Sequence, residues 1–184
     1  PSPTVLYTNN NSSSASAGSV IQTVYKRYDS LTTWSAPVNA NTPVWDLDID
    51  ITPKRADSRI LLMYHFTYEM HHDTVFRIAR GENMGQGVNP GREGSGGYNT
   101  NNPGYNRWVG TWITGYDTNT DSTPFTRVFM YMDPSENTLT RTYRVYVSSS
   151  GATAYTLFMN RPTGNAQTTN YEIGITMVMA QEIL

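Results

Sequence analysis

Val44-Trp45-Asp46-Leu47-Asp48-Ile49-Asp50-Ile51 alternates large apolar residues with aspartates without a break. Period two is the signature of a strand with one dry and one wet face. The alternation predicts Trp45, Leu47, Ile49 and Ile51 in a core and Asp46, Asp48 and Asp50 on the opposite side, in a register that a one-residue slip would invert. The same rhythm recurs along the chain, and no long stretch repeats at i, i+3, i+4. Val20 to Arg27, Arg59 to Met70, Thr74 to Arg80, Trp108 to Thr114, Phe125 to Met132, Leu139 to Ser148, Thr153 to Asn160 and Tyr171 to Ile183 read as further strands. They are rich in β-branched and aromatic residues and are separated by turn residues, the pattern of an all-β sandwich or barrel.

Within these runs the faces can be assigned. Ile60, Leu62, Tyr64, Phe66, Tyr68 and Met70 fall on one face of the third, with Leu61, Met63 and His65 on the other, so this strand is expected at the centre of a sheet and covered on both sides. Phe76 and Ile78 take the inner face of the next. In the last, Ile173, Ile175, Met177 and Met179 form the apolar phase that predicts a core strand. Ser148-Ser149-Ser150-Gly151 is turn chemistry that predicts a hairpin over residues 139 to 160.

With 184 residues, a net charge of −2 and 15% charged residues, one domain can bury a substantial core and shows no basic footprint for nucleic acid. No apolar run approaches the ~20 residues that cross a bilayer, and residues at the start lack signal-peptide character, so no membrane partner is expected. The absence of cysteine excludes disulfides and thiolate ligands and suits synthesis in a reducing cytoplasm.

Two segments stand apart from the strands. Residues 1 to 17 join Val5-Leu6-Tyr7 to the polar run Asn9 to Ala17, the composition of a flexible linker, ahead of a single domain over residues 18 to 184. Val5, Leu6 and Tyr7 are candidate partner-binding residues that could add a strand to a neighbouring molecule, or simply a frayed terminus. Residues 81 to 107, rich in Gly, Asn and Pro, read as a long surface excursion. Tyr98, Tyr105 and Trp108 in or beside it are candidates for contact with a neighbouring subunit or a sugar, or for pinning the loop to its own body.

Chemistry is less legible. Asp46, Asp48 and Asp50 on an extended strand stand ~6.6 Å apart in parallel, whereas calcium loops make their ligands converge, so a solvated face is the better reading. His71-His72-Asp73, with His65 nearby, contains ligand types, but adjacent residues of an extended segment point to opposite faces and no metal is expected. There is no Gly-x-Ser-x-Gly elbow, Gly-Lys-Ser/Thr phosphate loop or cysteine nucleophile, and a glycosidase carboxylate pair has nothing specific in its favour. No catalytic residue and no cofactor is expected; the chain reads as a non-enzyme.

Gly18-Ser19-Val20-Ile21-Gln22, Ile51-Thr52-Pro53 leading into Ser58-Arg59-Ile60-Leu61, Phe76-Arg77-Ile78-Ala79-Arg80-Gly81, Met132-Asp133-Pro134, Thr142-Tyr143-Arg144-Val145-Tyr146-Val147 and Asn160-Arg161 occur in that order. Their succession over most of residues 18 to 180 resembles a virion module of tailed phages, found in tail-fibre-like and capsid decoration proteins of cyanophages and marine phages. That resemblance implies a jelly-roll-like antiparallel β-sandwich of about eight or nine strands, usually a homotrimer, with a binding or structural role at the virion surface and no catalytic residues. Because a fibre protein normally carries a shaft ahead of such a module, the expectation is a capsid decoration or cement protein bound to the major capsid protein or another virion protein. The alternative is a tail-fibre tip or receptor-binding module for host surface glycan.

Overall fold

The computed structural model describes residues 16–38, 40–80, 110–115, 123–164 and 172–184, and the backbone of residues 4–8. It is all-β: β1 (Thr4–Thr8), β2 (Val20–Tyr28), β3 (Thr33–Ala36), β4 (Thr42–Ile51), β5 (Arg59–Glu69), β6 (Thr74–Arg80), β7 (Trp112–Ile113), β8 (Phe125–Pro134), β9 (Arg141–Ser149), β10 (Tyr155–Met159) and β11 (Thr176–Ile183). The strands form two antiparallel sheets, one of seven strands and one of four in the order β4-β9-β6-β7. In the larger sheet β1, β2, β11 and β5 lie side by side, β8 runs along the far edge of β5, and β10 joins the end of β5 at Tyr68 and Glu69 and carries β3. The chain passes repeatedly between sheets: β2, β5, β8 and β11 belong to the larger, β4, β6, β7 and β9 to the smaller.

The core lies between them. Ile60, Leu62, Tyr64, Phe66 and Tyr68 of β5 meet Phe76 and Ile78 of β6, Leu47, Ile49 and Ile51 of β4, and Tyr143, Val145 and Val147 of β9. At its aromatic centre Phe76 stacks on Trp112 at 5.1 Å and meets Phe66 edge-on at 5.6 Å, and Trp112 stacks on Phe129 at 4.1 Å. Such offset and T-shaped arrangements suit the ring quadrupoles and add to the burial of area. The central place expected for β5, and the inner face expected for β5 and β6, are as found, but Leu61, Met63 and His65 on the other face of β5 are only half-buried, short of the cover expected there.

Four expectations need correction. Trp45 is not in the core; it is 50% exposed, and Val44 is buried in its stead. The cause is an irregularity in β4: Val44 pairs with Val145 and Ile49 with Tyr143, so Trp45, Asp46, Leu47 and Asp48 all stand opposite Arg144 alone. The extra residues shift the phase by one, as a bulge does, and put Val44 and Leu47 on the same side. In β11 the inner phase is Thr176, Val178, Ala180 and Glu182, while Met177 and Met179 face outward and Ile173 and Ile175 precede the strand at the surface. Residues 139 to 160 form no hairpin, because β9 pairs with β4 and β6 while β10 pairs with β3 and β5. The Ser148–Gly151 turn, in which Ser149 Oγ donates to Thr153 O at 2.6 Å and accepts from Gly151 N at 3.1 Å, carries the chain from one sheet to the other. Finally, the rings of His71 and His72 lie only 4.0 Å apart, brought together by the β5–β6 turn, where Asp73 has φ of 64°.

Candidate interaction surface

Each strand of the larger sheet sends alternate residues into the core and the rest to the outer face. Inward from β8 come Phe129, Tyr131 and Asp133; outward come Val128, Met130 and Met132, which are 62%, 66% and 39% exposed. The pairing register continues these outward residues into rows across the sheet. Val128 lies opposite His65, which faces Met177 and then Arg27; Met130 lies opposite Met63, then Met179, then Tyr25; Met132 lies opposite Leu61, then Gln181, then Thr23. Five of the chain's eight methionines, Met63, Met130, Met132, Met177 and Met179, therefore share one face. Four strands ~4.8 Å apart and three rows ~6.7 Å apart make a face of about 400 Å², on which Val128, Leu61 and the five methionines are the apolar part and His65, Arg27, Gln181 and Thr23 the polar one, and an exposed apolar cluster of this kind marks a contact site. Methionine suits that use, because its flexible thioether adapts to the shape opposite.

At the end of this face, where β11 begins, is an open cleft of about 350 Å³ lined by Tyr25, Arg27, His65, Thr67, Thr126 and Ile175, among others. Its wall is the chain entering β11. Gly174 N donates to Asn160 O at 3.0 Å, and a Cβ at Gly174 would overlap the Thr67 side chain, so only glycine allows this approach. His65 Nδ1 lies 3.2 Å from Ile175 O, and Thr67 Oγ1 donates to the same carbonyl at 3.3 Å. Arg27 at the rim pairs with Asp29 at 3.3 Å, both side chains more than half exposed, an ion pair of little energetic weight.

Polar clips hold the ends of the sheets. Glu182, fully buried at the end of β11, accepts from Lys54 N and Arg55 N at 2.9 and 3.0 Å, from Gln22 Nε2 at 2.6 Å and from Ser58 Oγ at 2.6 Å. One carboxylate thus fixes the turn between β4 and β5. Near the end of β8, Asp133 Oδ2 accepts from Tyr143 Oη at 2.6 Å, with Arg80 at 3.4 Å and Arg141 at 3.8 Å. Burial pushes the Asp133 carboxyl above its ordinary value, against the pull of those three partners.

Val5, Leu6 and Tyr7 lie in β1, whose backbone is paired antiparallel to β2 of the same chain, Val5 opposite Val24 and Tyr7 opposite Thr23. Strand addition is thus made to the chain's own sheet edge, and residues 4 to 8 are not a free arm. Tyr98, Tyr105 and Trp108 lie outside the described residues. The three aspartates of β4 are all engaged. Asp46 Oδ2 accepts from Tyr28 Oη at 2.8 Å and Thr32 Oγ1 at 3.2 Å, Asp50 Oδ1 accepts from Thr142 Oγ1 at 2.6 Å, and Asp48 grips Arg144 through Nε and Nη2 at 3.0 and 2.6 Å. Lys26 Nζ donates to Asp48 O at 3.0 Å, and burial lowers its pKa despite the nearby aspartates.

His71 stacks on Tyr155 at 4.8 Å, and His72 Nδ1 meets Asp73 Oδ2 at 2.9 Å; His65 faces the outer side of β5, away from that turn. Among the described residues, no three or more metal-ligating side chains come together. The outer methionine face was not foreseen, although a signal for it exists. Phe125 to Met132 carries apolar residues in both phases, Phe129 and Tyr131 against Val128 and Met130, and a strand apolar on both sides needs cover on both.

The chemistry available on this face is burial of apolar area around a few hydrogen-bonding groups. No protein-family model and no curated protein matches the chain.

Proposed function

We propose that the chain is a non-enzymatic structural protein of a phage particle, a capsid decoration or cement protein that assembles as a homotrimer and binds the shell. One observation carries the assembling role: the outer face of the larger sheet, with Val128 and Met130 more than 60% exposed at its edge, is an apolar surface that only a partner can take out of water. At about 25 cal/mol per Å², covering the apolar part of this face yields several kcal/mol, and the face is about half the area that each partner gives to a standard subunit contact, so it would form the centre of a wider one. The exchange of β2, β5, β8 and β11 with β4, β6, β7 and β9 between two sheets supports the jelly-roll topology implied by the resemblance to phage virion modules.

Cementing is mass action: free energy released by binding the assembled shell opposes its disassembly. Electron microscopy of the particle tests the assignment. Many copies spread over the head, and a head that fails at lower temperature once the protein is lost, are the expected results. A few copies confined to the tail, with adsorption abolished and the head unweakened, would replace it with a receptor-binding role.

A further inference from the structure

Trp45 is placed in water by a distortion of its own strand. β4 breaks register against β9 between Val44 and Ile49, and that break turns the indole outward. Bulges of this kind recur where a side chain must be re-aimed. The exposed indole is nonetheless held. The Arg144 guanidinium lies 3.6 Å from its ring centroid, stacked on one face, and is itself fixed by the fork of bonds to both Asp48 oxygens. Arg144 is 5% exposed, so its planar group is a buried support whose orientation is set before any ligand arrives. Half the surface of Trp45 remains open.

We infer that Trp45 is the stacking platform of a saccharide-binding site, with a pyranose ring as ligand. The surroundings select that chemistry. A protein hot spot sits within a wider exposed apolar patch, such as the methionine face, whereas Trp45 has Asp48, Asp50, Thr142 and Arg144 as outward neighbours on one side and only the half-buried Pro43 and the buried Tyr146 on the other. A flat exposed ring with carboxylates and a hydroxyl along one side matches a sugar ring, which offers C–H bonds on one side and hydroxyls around its rim. A nucleic-acid base stacks equally well, but its phosphates would meet Asp46, Asp48 and Asp50 on a chain of net charge −2. The inference does not rest on a place in the virion, since the platform exists wherever the protein resides.

The test uses the full chain with its four tryptophans labelled at the indole nitrogen, titrated at millimolar concentration with glucosides, galactosides, mannosides, N-acetylglucosaminides and their short oligomers. The Trp45 cross-peak is assigned by its loss in Trp45→Phe. At least one sugar should shift that peak while those of Trp34 and Trp112 stay in place. Trp45→Ala should bind that sugar at least tenfold more weakly while its remaining indole cross-peaks keep the positions of the folded parent. A panel in which no sugar moves the Trp45 signal, or a Trp45→Ala protein that binds as well as the parent, overturns the site. Neither result bears on copy number or position on the particle, so failure here is distinct from failure of the structural role.

Discussion

β8 and β9 follow one another in the chain and are of similar length, yet their outward residues have opposite fates. On β8 these are Val128, Met130 and Met132, apolar and exposed; on β9 they are Arg144, Tyr146 and Ser148, polar and buried. The contrast extends across each sheet. Val75, Arg77 and Ala79 on the outward side of β6 are buried, whereas Leu61 and Met63 on the outward side of β5 are only half-buried. Arg144 is tolerated in the dry layer because it is bonded to Asp48, and apolar groups in the wet layer are costly until something covers them. On β6 and β9 the outward residues are already buried within the chain, whereas the outer face of β5 and β8 is the surface that the proposed assembly would cover.

Breaking the Arg144 pair should have the largest effect. Asp48→Ala leaves a guanidinium in a buried site without its carboxylate, and should cost about 2–4 kcal/mol in urea denaturation. A loss below ~0.5 kcal/mol would mean that water reaches Arg144, and that the outer side of the smaller sheet is not dry.

Alkali probes the closed interior next. Burial is the main cause that raises Tyr28 and Tyr68 to about 12 from their ordinary 10. Both phenols are neutral in the folded state at a pH where the unfolded chain ionises. Their contribution is therefore complete below pH 10 and is lost as the pH climbs through about 12. The unfolding temperature should fall across that window, with the rise in phenolate absorbance lagging behind the value for free tyrosine. A phenolate titration centred at 10 with no loss of stability would refute it.

The smallest effect on the fold is expected at the open face. Met130→Lys should change unfolding free energy by no more than ~0.5 kcal/mol, since an exposed side chain gives up little. The same substitution should abolish self-association in sedimentation velocity. A parent protein that sediments as a monomer at all working concentrations would remove the homotrimer, and a destabilised Met130→Lys monomer would show that the face is already covered.

Much of the fold was legible in the sequence. Thr74–Arg80 is a strand at the limits its residues predict, Arg59–Glu69 ends one residue short, and the inner face of β5 follows from Ile60, Leu62, Tyr64, Phe66 and Tyr68. β3 was not legible, because Thr33-Trp34-Ser35-Ala36 is too short to show a period and exists by pairing with β10. The inner phase of β11 was misread for a different reason. Met177 and Met179 outweigh Val178 and Ala180 in apolar bulk, and period two fixes that faces alternate, not which of two apolar phases looks inward. The candidate site suffers from the same ambiguity, since its residues are the outward phases of β5, β8 and β11.

Alternation in the sequence by itself determined that the chain is built of strands, and roughly where they run, because backbone sterics force successive side chains to opposite sides. Tertiary structure alone decided that Trp45 leaves the core, that residues 139 to 160 split between two sheets, and that a methionine face stays in water. Each of these depends on a pairing partner remote in sequence, Arg144 for Trp45 and His65 to Leu61 for the row from Val128 to Met132. Local preferences carry no record of such partners, whereas the ladder of hydrogen bonds that joins them sets every face at once.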